Sequence, residues 1–75
     1  MAARVKQLWK GVFNYRGEMP IVRRYAYTRE QAWLLMCRYL AKRHGVDPAW
    51  VMGMFKPGSD NHSIELEVEV VEVDS

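Results

Sequence analysis

The 75-residue chain has little of several features that define whole classes of protein. It holds a single cysteine, Cys37, so the small secreted domains that depend on paired cysteines are excluded. No apolar run approaches the roughly 18 residues of a membrane-spanning helix. The first seven residues lack the continuous apolar stretch of a signal peptide. We therefore expect a cytoplasmic protein with no membrane partner.

The residue patterns of catalytic and ligand sites are also missing. The two histidines and the cysteine are spread along the chain without the spacing of metal ligands, and no glycine-rich phosphate-binding pattern is present. Cys37 falls on the apolar side of a predicted helix, where a thiol behaves as a small inert hydrophobic group. His44, seven residues later, is a poor partner for it. We expect neither catalysis nor a cofactor nor a metal.

Acidic residues are scarce in the first part of the chain and basic residues are scarce in the last part. Residues 1–45 carry ten Lys and Arg against two acids, a net charge of +8. Residues 46–75 carry one base against seven acids, a net charge of −6, so that the whole chain has only +2. The two halves therefore either face each other in the fold or face outward to partners.

Hydrophobic residues, by contrast, are plentiful. They make up 49% of the chain and include three Trp, four Tyr and two Phe. Aromatic side chains bury a large area per residue, so even a chain this short can form a compact core. We predict that residues 1–75 form one small domain.

Two segments rich in β-branched and aromatic residues, 5–15 and 19–28, predict a β-hairpin. A two-residue turn at Arg16-Gly17 would place Arg16 at positive φ, so we expect a three-residue loop from Tyr15 to Gly17. That loop pairs odd-numbered residues with odd-numbered ones. One face then collects Val5, Trp9, Gly11, Phe13, Met19, Ile21, Arg23, Tyr25 and Tyr27. The other collects Leu8, Lys10, Val12, Asn14, Val22, Arg24 and Ala26.

Two helices follow the hairpin. Thr28 to Gln31 fits a capping box and Gly45 supplies a left-handed C-terminal residue, so the first helix should run to about His44. Its apolar side comprises Ala32, Trp33, Met36, Cys37, Tyr39 and Leu40, opposite Gln31, Arg38 and Lys42. Asp47-Pro48 starts a second, shorter helix.

The last strand is predicted by the alternation of apolar residues with glutamates between Ile64 and Val73. The alternation slips at Val70-Val71, which indicates either a bulge or a strand that leaves the sheet. A right-handed crossover from the second strand places this third strand beside the first. The predicted fold is therefore an α+β two-layer sandwich, β-β-α-(short α)-β, whose antiparallel three-stranded sheet has the order 2-1-3, with helices on one face.

Two groups of charged residues are candidates for binding. The glutamates Glu65, Glu67 and Glu69 form either a solvated strand face paired with Lys10 and Arg24 or an acidic edge that captures a basic partner or a second copy. The basic candidates for partner binding are Arg16, Arg23, Arg24, Arg38, Lys42 and Arg43.

The aromatic face of the hairpin, with Trp9, Phe13, Tyr25 and Tyr27, is either the core or an open platform for stacking bases. We expect the core, because the apolar side of the first helix needs a cover. The sequence thus predicts a non-catalytic binding module that acts through protein contacts, including self-association. The alternative is a nucleic-acid-binding domain that uses the basic hairpin and the basic end of the first helix.

Overall fold

The computed structural model describes residues 6–69, with side chains described as far as Glu67. The chain forms β1 (Gln7–Phe13), β2 (Ile21–Ala26), α1 (Arg29–His44), α2 (Pro48–Met54) and β3 (His62–Glu69). The sheet has the order β2-β1-β3, and β1 is antiparallel to both neighbours. The predicted α+β architecture and strand order are confirmed.

The hairpin turn differs from the prediction. Tyr15 and Glu18 exchange backbone hydrogen bonds of 2.8 and 2.9 Å around a two-residue turn at Arg16-Gly17. Arg16 has φ 52° and Gly17 has φ 85°, the double left-handed conformation of a type I′ turn, whose twist matches that of the flanking strands. The guanidinium of Arg16 lies 5.8 Å from the Tyr15 ring and 5.6 Å from the Trp50 ring, and these contacts offset part of the backbone strain.

The two-residue turn shifts the register of the hairpin by one residue. Trp9 pairs with Arg24 and Gly11 pairs with Val22, so odd-numbered residues oppose even-numbered ones. The predicted core face is therefore correct for β1 and wrong for β2. Met19, Ile21 and Tyr25, which we expected in the core, are 58%, 53% and 54% exposed, while Val22 and Ala26 are buried.

The core lies between the sheet and the helices. Its largest fully buried side chains are Phe13, Phe55, Met36, Leu40 and Val51, with Cys37. The indole Nε1 of Trp33 donates to the carbonyl oxygen of Phe55 at 2.6 Å, which ties α1 to the end of α2. The indole of Trp9 donates in the same way to Ala26, at 3.1 Å.

Both helices begin and end where the local chemistry predicts. Thr28 Oγ1 accepts a 3.1 Å hydrogen bond from the Gln31 amide, and Gln31 Oε1 accepts one from the Tyr27 amide, one residue earlier than in a standard capping box. Gly45 ends α1 at φ 68°. Asp47 caps α2 by accepting from the amide of Ala49 at 2.9 Å.

Strand β3 carries one register shift. Trp9 pairs with Leu66, whereas Leu8 pairs with Val68, so Glu67 is the extra residue of a bulge. The irregularity that we predicted at Val70-Val71 lies outside the described residues. The bulge at Glu67 brings its side chain, like that of Glu65, to the sheet face that the helices do not cover.

Candidate functional site

One face of the sheet packs against the helices, and no helix of the described chain covers the opposite face. We call it the open sheet face. Arg23 and the exposed Ile21 and Tyr25 come from β2, and the partly buried Leu8, Lys10 and Val12 come from β1. Strand β3 contributes Ser63, Glu65 and Glu67.

An ion pair crosses this face. Arg23 Nε donates to Glu67 Oε1 at 2.7 Å, although the two residues belong to the outer strands of the sheet. The hydrogen bond from Arg23, with further attraction from Arg23 and Lys10, lowers the pKa of Glu67 despite partial desolvation. The same bond raises the pKa of Arg23. Both groups therefore stay charged through the physiological pH range.

The expected partners of the glutamates are only half correct. Lys10 does lie directly opposite Glu65 on the neighbouring strand. Arg24, however, lies on the helix side of the sheet. Arg23 lies on the open sheet face, in the place that we predicted for Arg24. The cause is the shifted hairpin register, because a slip of one residue moves every side chain of a strand to the other face. Glu69, the third predicted acidic residue, pairs through its backbone with Gln7.

A second group of charges surrounds Tyr39 on the helix layer. The guanidinium of Arg24 lies 4.6 Å from the centre of the Tyr39 ring, and Arg43 Nη1 donates to Tyr39 Oη at 3.1 Å. Arg38 and Lys42 are exposed beside them on the last turns of α1. We call Arg24, Arg38, Lys42 and Arg43, together with Tyr39, the basic cluster. Four of the six predicted basic residues are thus brought together, while Arg16 and Arg23 lie elsewhere.

Arg16 belongs to an aromatic group at the turn end of the hairpin. The ring of Tyr15 stacks on His44 with centroids 4.2 Å apart and meets Trp50 edge-on at 6.2 Å. A shallow cleft of about 170 Å³ between the turn and the end of α1 is lined in part by Glu18 and His44. The contacts of Arg16 with these rings give it a structural role in holding the turn.

A wider cleft of about 400 Å³ opens between the start of α1 and the loop before β3, and its titratable lining residues are Arg29, Glu30 and His62. His62 Nδ1 lies 3.0 Å from Asn61 Oδ1 and 3.4 Å from Ser59 Oγ. An amide oxygen can only accept, so we assign the proton to Nδ1, and this nitrogen has no lone pair to take a proton from Ser59. Burial lowers the pKa of His62, and its ring stacks on Phe13.

The loop that precedes His62 is held by its own polar groups. Asn61 Nδ2 donates to the carbonyl of Met54 at 2.8 Å, and Ser59 Oγ lies 2.8 Å from the carbonyl of Lys56. These bonds anchor β3 to the end of α2. The spacing of Ser59, Asn61 and His62 carried no motif that would have revealed them.

Cys37 is fully buried, and burial raises the pKa of its thiol to about 11. It is therefore a neutral thiol near pH 7 and not an activated nucleophile. Residues 6–69 contain no group of three or more His, Cys, Asp or Glu arranged to hold a metal ion. Within the same range, no helix combines the length and apolar character needed to cross a membrane.

Comparisons with protein-family models, with curated proteins and with solved structures found no significant match to this chain. The functional argument therefore depends on the two surfaces, the open sheet face and the basic cluster.

Proposed function

We propose that this protein is a small non-catalytic binding module that acts through protein contacts, and that its open sheet face binds a second copy of the chain. The observation that carries the proposal is the arrangement of charge on this face. Cations lie toward one edge of the sheet and anions toward the other, between apolar side chains that the helices leave uncovered.

The apolar part of the face would supply the energy of association. Ile21 and Tyr25 are each more than half exposed on β2, and Val12 and Leu8 are partly buried beside them on β1. Met19, just before β2, extends the patch. Contiguous exposed apolar surface on a small domain is typical of an interface, because its burial removes apolar area from water.

The charged part of the face would select the partner. Arg23 on β2 and Lys10 on β1 are positive, whereas Glu65 and Glu67 on β3 are negative. The four formal charges sum to zero, so neither a strongly acidic nor a strongly basic partner is favoured. A surface with the same polarity reversed across the strands is the best electrostatic complement.

A second copy presents that complement. In a symmetric dimer the same patch is used on both subunits. A two-fold axis that lies between the two sheets and runs along the strands places β2 of one copy over β3 of the other, and so Arg23 over the partner's acidic strand. An axis across the strands would place β2 over β2 and bring like charges together. The charges therefore favour the first arrangement, with sheets packed about 10 Å apart.

Two charge reversals test this arrangement. In Arg23→Glu the cation of β2 becomes an anion that faces the partner's acidic strand, and in Glu67→Arg one of the two anions of β3 becomes a cation that faces the partner's Arg23. We expect each variant alone to be monomeric in sedimentation velocity at concentrations where the wild-type protein is dimeric. An equimolar mixture of the two should form a heterodimer, because each reversed charge then meets its opposite.

Arg38→Glu is the matched control, since Arg38 is equally exposed but lies on the helix layer. It should leave the dimer intact. A wild-type protein that stays monomeric at millimolar concentration would overturn the proposal. A dimer that is indifferent to both reversals would show that another surface is used.

The proposed compartment is the cytoplasm, where a single free thiol such as Cys37 stays reduced. The absence of a catalytic role is also part of the proposal. It is supported by the neutral, buried Cys37 and by the tautomer of His62, which leaves Ser59 without a base.

A further inference from the structure

The basic cluster joins two parts of the chain that are distant in sequence. Arg24 comes from β2, an edge strand of the sheet, and the other members come from the last two turns of α1. On a helix, residues three and four positions apart are neighbours, so Lys42 adjoins both Arg38 and Tyr39, and Arg43 adjoins Tyr39. Tyr39 connects this patch to Arg24.

Two of the four cations are held in place before any ligand binds. Arg24 Nη1 donates to the carbonyl oxygen of Arg23 at 2.7 Å while its guanidinium lies over Tyr39. Arg43 is held by its hydrogen bond to the Tyr39 hydroxyl. Each guanidinium retains further N–H groups for a ligand, and its planar donor geometry matches the oxygens of a phosphate group.

No carboxylate neutralises the cluster within the described part of the chain. The ion pair between Arg23 and Glu67, on the other face of the sheet, is the one formed among residues 6–67, whose side chains the structure describes. Helix α1 has a single acid, Glu30, and it lies in the first turn, at the opposite end. The C-terminus of a helix carries only about half a negative charge, which is small beside four formal positive charges.

The shape of this surface indicates a long ligand and not a small one. The cluster lies on the exposed side of a helix, and the two clefts described above are lined by other residues. Arg24 lies over the ring of Tyr39, and the ring is partly buried against the core, so Tyr39 is a poor platform for stacked bases. The basic cluster can therefore contact the phosphate groups of a polymer backbone.

A lipid surface fits this helix less well than a nucleic acid does. A helix that binds at a membrane interface inserts an apolar side. The apolar side of α1, with Ala32, Met36 and Leu40, is buried against the sheet. The outward side carries Gln31, Arg38 and Lys42.

We propose that the basic cluster binds the phosphate backbone of a nucleic acid without reading its sequence. This inference goes beyond the proposed self-association and does not depend on it, because the two surfaces lie on opposite layers of the fold.

The number of cations sets the expected salt dependence. Each phosphate contact to a DNA duplex contributes about −0.9 to the slope of log K against log salt concentration, so four contacts give a slope of about −3.6. Affinity should then fall roughly a hundredfold between about 50 and 200 mM salt. We would measure it by fluorescence anisotropy with a labelled duplex of about 20 base pairs and with the matching single strand.

Arg38→Gln/Lys42→Gln is the test variant, because these two side chains are exposed and their removal should not affect folding. It should reduce the slope by about 1.8, so that affinity falls only about tenfold over the same range of salt. Arg29→Gln/Lys56→Gln is the matched control. It removes the same net charge from the first turn of α1 and from a loop, both outside the basic cluster and the open sheet face, and should keep the wild-type slope.

Three outcomes would overturn the inference. The first is no binding of either probe at about 20 mM salt, a condition that strengthens phosphate contacts. The second is an equal loss of binding in the two double variants, which would show that binding depends only on the net charge of the protein. The third is binding to vesicles that contain an anionic phospholipid without binding to either nucleic acid. Circular dichroism of both double variants would establish that they are folded.

Discussion

Gly11 lies in the middle of β1, where α1 crosses closest to the sheet, and we expect Gly11→Ala to destabilise the protein. A Cβ atom built on Gly11 would lie 2.7 Å from Phe13 Cε1 and closer still to Met36 Sδ. Phe13 and Met36 are both fully buried. Any movement of either side chain therefore has to be accommodated inside the core.

Two effects of opposite sign decide the result. Replacing glycine by alanine in a strand ordinarily stabilises a protein by about 0.5–1 kcal/mol, because the unfolded chain loses conformational freedom. Overpacking a core costs about 1–3 kcal/mol. The flexible thioether of Met36 can relieve part of the clash and the aromatic ring of Phe13 cannot. We expect a net loss of about 1–2 kcal/mol, which corresponds to a fall in Tm of roughly 5–15 °C.

Urea denaturation would measure the effect, with a lower midpoint and an unchanged m-value as the expected result. Gly53→Ala is the control, because a Cβ at Gly53 in α2 meets nothing within 4 Å. That substitution should stabilise the protein by up to about 1 kcal/mol.

A double-mutant cycle tests whether the loss of stability comes from the contact between the new methyl group and Met36. Met36→Ala alone should cost about 2–5 kcal/mol, and it should cost less when Gly11→Ala is already present, because the methyl group occupies part of the space that Met36 leaves. If Gly11→Ala were as stable as the wild-type protein, or if the two substitutions were additive, the close packing of α1 on β1 would be refuted.

Two further predictions concern the turn and the buried thiol. Arg16→Asn should be more stable than Arg16→Val by about 1 kcal/mol in thermal denaturation. Both variants lose the guanidinium contacts, and only Asn tolerates the left-handed backbone at this position. Equal stability of the two variants would contradict the two-residue turn. Native Cys37 should resist iodoacetamide at pH 8, and rapid alkylation would contradict its burial. Burial raises the pKa of the Cys37 thiol from 9.0 to about 11, so the contribution of Cys37 to stability should be constant below about pH 9 and fall between about pH 9 and 11. Cys37→Ala should remove this dependence.

The helices and the strand order were predictable because their signals are local or topological. Thr28, Gly45 and Asp47-Pro48 act on backbone groups within four residues of themselves, so their chemistry can be read directly from the sequence. The strand order follows from the handedness of one crossover connection. Neither inference requires knowledge of tertiary contacts.

The hairpin register was not predictable in this way, because it depends on a small difference between two turn types. The left-handed conformation of Arg16 costs about 1–2 kcal/mol, and from the hairpin sequence alone this cost decides against the two-residue turn. The contact that opposes it comes from Trp50, more than 30 residues away in α2. No local sequence pattern predicts that contact. A register shift of one residue then exchanges the two faces of β2.

That exchange determines what each basic residue of the hairpin can do. Arg23 and Arg24 are adjacent in the sequence and were one candidate site, but the structure places them on opposite layers. Arg23 lies on the open sheet face, where Glu67 neutralises it. Arg24 joins the helix layer, where the described chain provides it with an aromatic ring and no acid. The uncompensated charge is therefore concentrated on the helix layer, and a dimer formed through the open sheet faces would leave both basic clusters exposed on its outer sides.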